Sequence, residues 1–268
     1  MRRDFEPVEA KVNAKINIGL QIVRKRSDGF HDLQTVFYPT DFFSDTLRIS
    51  PANAEILFKM ESKEDLGSPD KNLCIKAFRL LQQDFGISNV EIFLTKGIPS
   101  GAGLGGGSAD AAFTLKMLRD IFQLPISEEK MIEYALQLGS DVPFFLLNKP
   151  VYATGRGEVM TPIDLDLSQY QLKIVKPDIH ISTKEAYAGV TPKESEIYLP
   201  EVLNRQPDEW KDLVVNDFEE SLFVKIPELQ QIKEELYQEG ALYASMSGSG
   251  SAFSAFSQLK QNILFNRT

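Results

Sequence analysis

Apolar residues occupy every second position from Val12 through Ala14, Ile16, Ile18 and Leu20 to Ile22, with Lys11, Asn13, Lys15, Asn17, Gly19 and Gln21 between them. A period of two sustained this long predicts a strand with one apolar face. Lys15 and Asn17 fall side by side on the opposite face, about 7 Å apart along the strand. They read either as a solvated pair or as half of a site whose other half lies elsewhere; Lys11 reads as solvated. A turn signal, Asp28-Gly29, leads into Phe30-His31-Asp32. Leu33 to Tyr38, Thr46 to Ile49 and Ile56 to Phe58 then read as further short strands, which makes the first quarter β-rich.

The period changes after residue 70. Leu73, Ala77, Leu80 and Leu81 follow helical spacing, with Asp70 as the expected N-cap and Gly86 as the stop. Val90 to Leu94 alternates as a strand, and Ala111, Leu115, Leu118 and Phe122 share one helical face. Ser127, with two acids behind it, starts a helix that runs to about Leu138 and ends at Gly139. The last hundred residues predict a strand at Leu172 to Val175 and helices at Thr183 to Ala188, Asn216 to Leu222 and Glu228 to Glu239. Two more strands, Leu242 to Met246 and Ala252 to Phe256, flank a Gly/Ser loop, Ser247-Gly248-Ser249-Gly250-Ser251. By itself that loop is also compatible with a plain hairpin.

Between the strand at Val90 and the helix through Ala111 lies Pro99-Ser100-Gly101-Ala102-Gly103-Leu104-Gly105-Gly106-Gly107-Ser108-Ala109, with five glycines in the seven residues from Gly101 to Gly107. Glycines let successive N–H groups converge on one point, and the first turn of a helix adds unpaired donors and partial positive charge. The predicted guest is a phosphate. The flanks exclude the commoner phosphate loops. A dinucleotide fold needs a strand after the helix with an acid about 20 residues on, whereas Leu124-Pro125-Ile126 leads into another helix. A Walker loop needs a Lys where Gly107 stands, and the protein-kinase loop lacks its Val and its catalytic Asp set.

Composition narrows the partners. The 268 residues are 43% hydrophobic and 25% charged, ordinary for a globular chain, and 29 basic against 38 acidic residues give a net charge of −9. That balance argues against a broad nucleic-acid or anionic-membrane surface, so a bound phosphate must be attracted locally. Cys74 is the single cysteine, which removes internal disulfides and thiolate clusters. The N-terminus lacks the apolar core of a secretory signal, no apolar run approaches a membrane span, and the cytoplasm is the expected compartment. One carboxylate stands out. Asp141 follows a helix stop and precedes Val142-Pro143-Phe144-Phe145-Leu146-Leu147, a run that should be buried; it is either a helix cap or a group with a task.

These segments together resemble the GHMP kinase superfamily, whose three motifs are a Lys-bearing N-terminal strand, a phosphate loop and a C-terminal Gly-rich loop. The likeness is greatest to the branch whose acceptor is a cytidine diphosphate alcohol. Lys11 to Leu20 looks like its first motif, Gly29-Phe30-His31 with Leu33-Gln34-Thr35 its substrate turn, and Gly103 to Ser108 its phosphate loop. Gly139 to Phe145 resembles its catalytic segment and Met246 to Gly250 its last motif, all in the family's order.

The resemblance implies an α+β chain of two lobes: an N-terminal ribosomal S5-like domain, residues 1–163, and a C-terminal ferredoxin-like domain, residues 164–268. It implies transfer of the ATP γ-phosphoryl to an acceptor hydroxyl, a reaction that asks mainly for positioning and charge neutralisation. Asp141 would accept the hydroxyl proton, and Lys15 would pair with it and keep it ionised. Asn17 would lie beside them on the substrate side. The loop from Pro99 to Ala109 would wrap the triphosphate, Ser108 would reach the phosphate or Mg²⁺, and Lys96 and Asn72 would lie near the adenosine. Phe30 and Tyr187 would stack on the cytosine, His31 would read its edge, and Ser247 and Gly248 would complete the acceptor site. Phe30 and Tyr187 are alternatively core residues. The family commonly has Tyr where Phe30 stands, which keeps the ring and removes a hydroxyl. His180 matches no motif and reads as a strand-end surface residue. A GHMP kinase for mevalonate, homoserine or a sugar has no need of Gly29-Phe30-His31, and a nucleotide-binding protein without catalysis has no need of both Lys15 and Asp141.

Overall fold

The computed structural model describes residues 4–52, 57–62 and 71–259. Strands β1 (Val8–Lys25) and β2 (His31–Pro51) form a long antiparallel hairpin. The two strands expected at Leu33 to Tyr38 and Thr46 to Ile49 are one. The register jumps from Asn13↔Ser44 to Ala14↔Thr40, so residues 41–43 bulge out while β1 continues the ladder across the gap. Strand β3 (Leu57–Glu61) pairs in parallel with β4 (Val90–Thr95), after helix α1 (Leu73–Phe85). Asn72 caps α1 by accepting the Cys74 N–H at 2.8 Å, in the role expected of Asp70, which lies outside the described residues.

Helices α2 (Gly106–Phe122), α3 (Glu128–Leu138) and α4 (Val142–Leu147) follow, then strands β5 (Val151–Thr154) and β6 (Val159–Pro162). The sheet order is β3-β4-β2-β5-β6, with β1 on the other edge of β2. β2 is long enough to share one edge between two partners: Thr46–Pro51 pairs with β4 and Thr35–Phe37 with β5. Helices α1 to α4 bury Phe78, Leu115, Tyr134, Phe144 and their neighbours against this sheet.

The second lobe runs β7 (Tyr170–Val175), α5 (Thr183–Ala188), α6 (Leu199–Val202), a 3-10 turn at Pro207–Glu209, α7 (Asp217–Lys225), α8 (Pro227–Gln238), β8 (Tyr243–Met246) and β9 (Phe253–Gln258). Its sheet shows three antiparallel strands in the order β7-β9-β8 among the described residues. The apolar face of β1 points into this lobe. Ala14, Ile16 and Ile18 share a core with Trp210, Tyr243 and Phe256, while Leu20 and Ile22 pack with Phe218, Leu222 and Phe253. The polar face of β1 is not solvated from Asn13 to Gln21: Lys15 is 3% and Asn17 2% exposed. β1 is thus a wall between lobes, covered on both sides.

Candidate active site

A cleft of about 560 Å³ lies between the lobes, and the polar face of β1 forms part of its lining. Lys15 Nζ donates to Asn17 Oδ1 at 2.5 Å and stands 3.6 Å from Asp141 Oδ2. Burial pushes the Lys15 ammonium below its ordinary value, and the Asp141 carboxylate opposes that push. Asp141 occupies the N-cap position of α4 but its side chain caps nothing, which removes the helix-cap reading. The carboxylate, 36% exposed, is left open to the cleft. Asn17 Nδ2 donates to Thr35 Oγ1 at 2.9 Å, and Thr35 donates on to Gly19 O at 2.5 Å, so the amide is fixed in one orientation.

The phosphate loop takes the shape its glycines allow. Gly101, Gly103 and Gly105 have φ of 61°, 77° and 74°, and the chain enters α2 at Gly106. The first amides of α2 have no acceptor within the helix and face the cleft where Gly106, Gly107 and Ser108 line it. A Cβ on Gly103 would collide with the Ser247 carbonyl oxygen, because the two Gly-rich loops touch there. Lys15 N–H donates to Leu104 O at 3.0 Å, Asn17 N–H to Ser247 Oγ at 3.0 Å, Ser247 Oγ to Gly103 O at 3.0 Å and Ala252 N–H to Ala102 O at 3.2 Å. Ser247 is fully buried with its hydroxyl so engaged. It clamps the loops and makes no lining of the acceptor end, contrary to the expectation for it; Gly248 does line the cleft.

Lys96 and Asn72 both line the cleft at the α1 end. Lys96 is not a free cation, however. Its Nζ donates to Asp45 Oδ2 and, at 2.7 Å, to Asp110 Oδ2, all three side chains being under 10% exposed. Asp45 Oδ1 also accepts the Gly97 and Ile98 N–H groups at 2.6 and 2.8 Å, which ties the approach to the loop onto β2. Burial works to lower the Lys96 pKa, but Asp110 and Asp45 outweigh it and hold the ammonium above its usual value. Burial pushes Asp110 up to about 7 against the opposing pull of Lys96.

At the acceptor end the aromatic pairing differs from the expected one. Tyr187 stacks on His31, with centroids 4.9 Å apart and 25° between planes, and meets Phe218 edge-on at 4.9 Å. Phe30 is 53% exposed and faces the Arg156 guanidinium, 4.7 Å from its ring centroid. The cause is the turn itself: Arg26 N–H bonds Phe30 O and Phe30 N–H bonds Asp28 Oδ1, which fixes residue 30 at the tip of the hairpin. Phe30 and Tyr187 therefore do not form a preformed sandwich. Burial, then Lys25, lowers the His31 pKa, and desolvation followed by Asp141 raises Tyr187 to about 12. His180 is exposed as expected, yet it lies beside the phosphate loop, 3.4 Å from where a Cβ on Gly101 would stand.

Sequence reasoning set Thr35 in the substrate turn without its partners, and missed Asp45 and Arg156. Asp45 carries no local signal, since its partners Lys96, Gly97 and Ile98 come from the segment after β4, and the bonds of Thr35 reach Asn17 and Gly19 of β1. Gly155-Arg156-Gly157 has the look of an ordinary hairpin turn.

Residues 72–149 match the GHMP kinases N terminal domain and residues 198–263 the GHMP kinases C terminal domain. The chain is 49% identical over 249 residues to the 4-diphosphocytidyl-2-C-methyl-D-erythritol kinase of Bacteroides fragilis, covering 91% of this chain and 90% of that protein. It is 48% identical over 244 residues to the protein of the same name from Porphyromonas gingivalis, with 90% and 88% covered. Among solved structures, 4-(cytidine 5'-diphospho)-2C-methyl-D-erythritol kinase superposes with a TM-score of 0.78 at 31% identity, covering 92% of this chain and 89% of that one. The homoserine kinase of Cytophaga hutchinsonii superposes with a TM-score of 0.73 at 17% identity, covering 97% and 88%, a likeness of fold alone. No helix among the described residues is long and apolar enough to cross a membrane. With matches of this extent, over both lobes and at this identity, the chain belongs to the GHMP kinases, in the family of the 4-diphosphocytidyl-2-C-methyl-D-erythritol kinases.

Proposed function

We propose that this kinase transfers the γ-phosphoryl of ATP to the 2-hydroxyl of 4-diphosphocytidyl-2-C-methyl-D-erythritol, giving the 2-phosphate and ADP, a step of non-mevalonate isoprenoid precursor synthesis. The observation that carries the reading is the Lys15–Asp141 pair, set where the phosphate loop meets the aromatic end of one cleft. Asp141 takes the proton of the attacking hydroxyl as the bond to phosphorus forms. Lys15, held by Asn17, keeps positive charge beside that carboxylate and beside the phosphoryl group in transit. Loop amides from Gly103 to Ser108 hold the triphosphate in line, and Tyr187 with His31 and Phe30 meets the cytosine. Residues 1–163 supply the nucleotide site and base, and residues 164–268 close the cleft.

No group of three or more His, Cys, Asp or Glu side chains among the described residues could hold a metal ion unaided. The Ser108 hydroxyl lines the cleft at the start of α2 and would be the side chain to meet a Mg²⁺ bound with the nucleotide, where the ion would supply charge neutralisation. The test is ADP release measured with ATP and the diphosphocytidyl alcohol, against ATP alone and ATP with homoserine. ADP release that requires the cytidine compound supports the assignment. Turnover of homoserine at a comparable rate would sink it.

A further inference from the structure

The turn between β5 and β6, Gly155-Arg156-Gly157, brings one side chain to the acceptor end of the cleft. Gly155 and Gly157 have φ of 68° and 106°, and the Leu33 N–H donates to Gly155 O at 2.7 Å, so the turn is fastened across the start of β2. Residue 156 is the only one of the three with a side chain, and it lines the cleft together with Asp141 and Tyr187. On the other side of the turn, a Cβ on Gly157 would stand 3.7 Å from Asp141 Oδ1. Arg156 is thus a near neighbour of the base.

Four basic side chains line the cleft: Lys15, Lys71, Lys96 and Arg156. Lys15 faces Asp141 at 3.6 Å and Lys96 lies between Asp45 and Asp110. Lys71 stands next to Asn72 at the start of α1, the nucleotide end. Arg156 is different. Glu158 approaches it no closer than 3.6 Å, at Nε, beyond hydrogen-bond range, because Glu158 Oε2 already accepts the Arg156 backbone N–H at 2.5 Å. Its guanidinium makes no other ion pair among the described residues and rests on the Phe30 ring.

A chain of net charge −9 repels a diphosphate unless a local cation receives it. A guanidinium offers two parallel donors to phosphate oxygens, and it sits one side chain from the ring expected to meet the base. We infer that Arg156 binds the diphosphate of the acceptor and so selects a cytidine diphosphate alcohol over an uncharged or singly phosphorylated one. The inference rests on the acceptor proposed above. Cytosine in contact with Phe30 takes the face that the guanidinium now covers, and the released guanidinium turns to the diphosphate.

The test is calorimetric titration with cytidine and with CDP, the nucleotide site being filled by a non-hydrolysable ATP analogue. The parent chain, Arg156→Gln and Arg156→Lys are compared, with thermal melts as a check on folding. The parent binds CDP more tightly than cytidine. Arg156→Gln weakens CDP by about 10- to 100-fold, as expected for a lost charge-assisted contact, leaves cytidine within twofold, and flattens the salt dependence of CDP binding. Arg156→Lys retains part of the preference. Equal weakening of cytidine and CDP would assign Arg156 to packing on Phe30 and overturn the inference, as would unchanged binding of both. A parent chain that binds neither compound would instead remove the proposed acceptor, and this inference with it.

Discussion

Asp141 combines two properties that are hard to hold together: it is anchored at the start of a buried helix, and its carboxylate caps nothing there and meets Lys15 at 3.6 Å on the cleft side. No backbone amide is capped by it, so the oxygens are available to the acceptor hydroxyl. Asp141→Asn keeps the shape and removes the proton acceptor, so turnover falls by about 10²–10⁴-fold while ATP binding, read by titration, stays at the parental value. Lys15 gives a second expectation, in pH. Its pKa lies below the ordinary 10.5 because burial outweighs Asp141, so the ammonium is lost on the alkaline side earlier than in an exposed lysine. The kcat profile therefore bends down below pH 10.5. Folding stability moves the other way over the same range, since a group whose folded pKa is depressed below its unfolded value leaves the unfolded chain binding more protons. A kcat that holds level up to pH 10.5 would show that Lys15 is not needed as a cation. Both residues were legible in the sequence, one as a cation on a strand and one as a carboxylate beside an apolar run. The orientation of Phe30, His31 and Tyr187 was not. Which ring faces which depends on the hydrogen bonds of a tip turn, and no spacing encodes those.

At the scale of elements, the phosphate loop separates two kinds of glycine. Gly106 is enclosed: a Cβ there would stand 3.0 Å from Ile98 and 3.3 Å from Lys96 Nζ. Gly107 is open, with nothing nearer than Leu73 at 4.0 Å. Gly107→Val accordingly folds with a parental melting temperature and raises the KM for ATP by roughly tenfold or more, the loss of one charge-assisted contact to phosphate. Gly106→Val raises the KM and also lowers the melting temperature. Unchanged ATP kinetics in folded Gly107→Val would remove the helix start from the nucleotide site. The loop and the helix behind it were readable because glycine density and a change of period are local signals. The union of two expected strands into β2 was not readable. Pro39 to Phe43 breaks the alternation in the sequence, and only the ladder to β1 carries the strand past it.

Across the whole molecule the lobes share one interior. Asn216, 2% exposed at the start of α7, donates from Nδ2 to Met246 O and Gly248 O at 2.8 Å each, while Glu219 Oε1 accepts Met246 N–H at 2.7 Å. The second Gly-rich loop is thus held from behind by a helix of its own lobe. Asn216→Ala takes the closest side-chain donor from two buried carbonyls, leaving Met246 O with the Ser245 hydroxyl at 3.4 Å, at a cost of about 1–3 kcal/mol in chemical denaturation. Because that loop abuts Gly103 and Asn17, the same variant raises KM for both substrates together. A rise for one substrate only would mean that the loops act independently.

The stitching of Leu104, Gly103 and Ala102 to β1, Ser247 and Ala252 also bears on modularity. The segment that carries every recognisable nucleotide motif is not a portable nucleotide-binding unit. Cut at residue 163, it would lose the carbonyl against which Gly103 is fitted and the partners that cover Ala14, Ile16 and Ile18, exposing a dry sheet face to water. Insertion, permutation or fragment exchange in such a chain has to respect the seam and not the motif boundaries, because the anion cradle exists only where both halves of the polypeptide are in register.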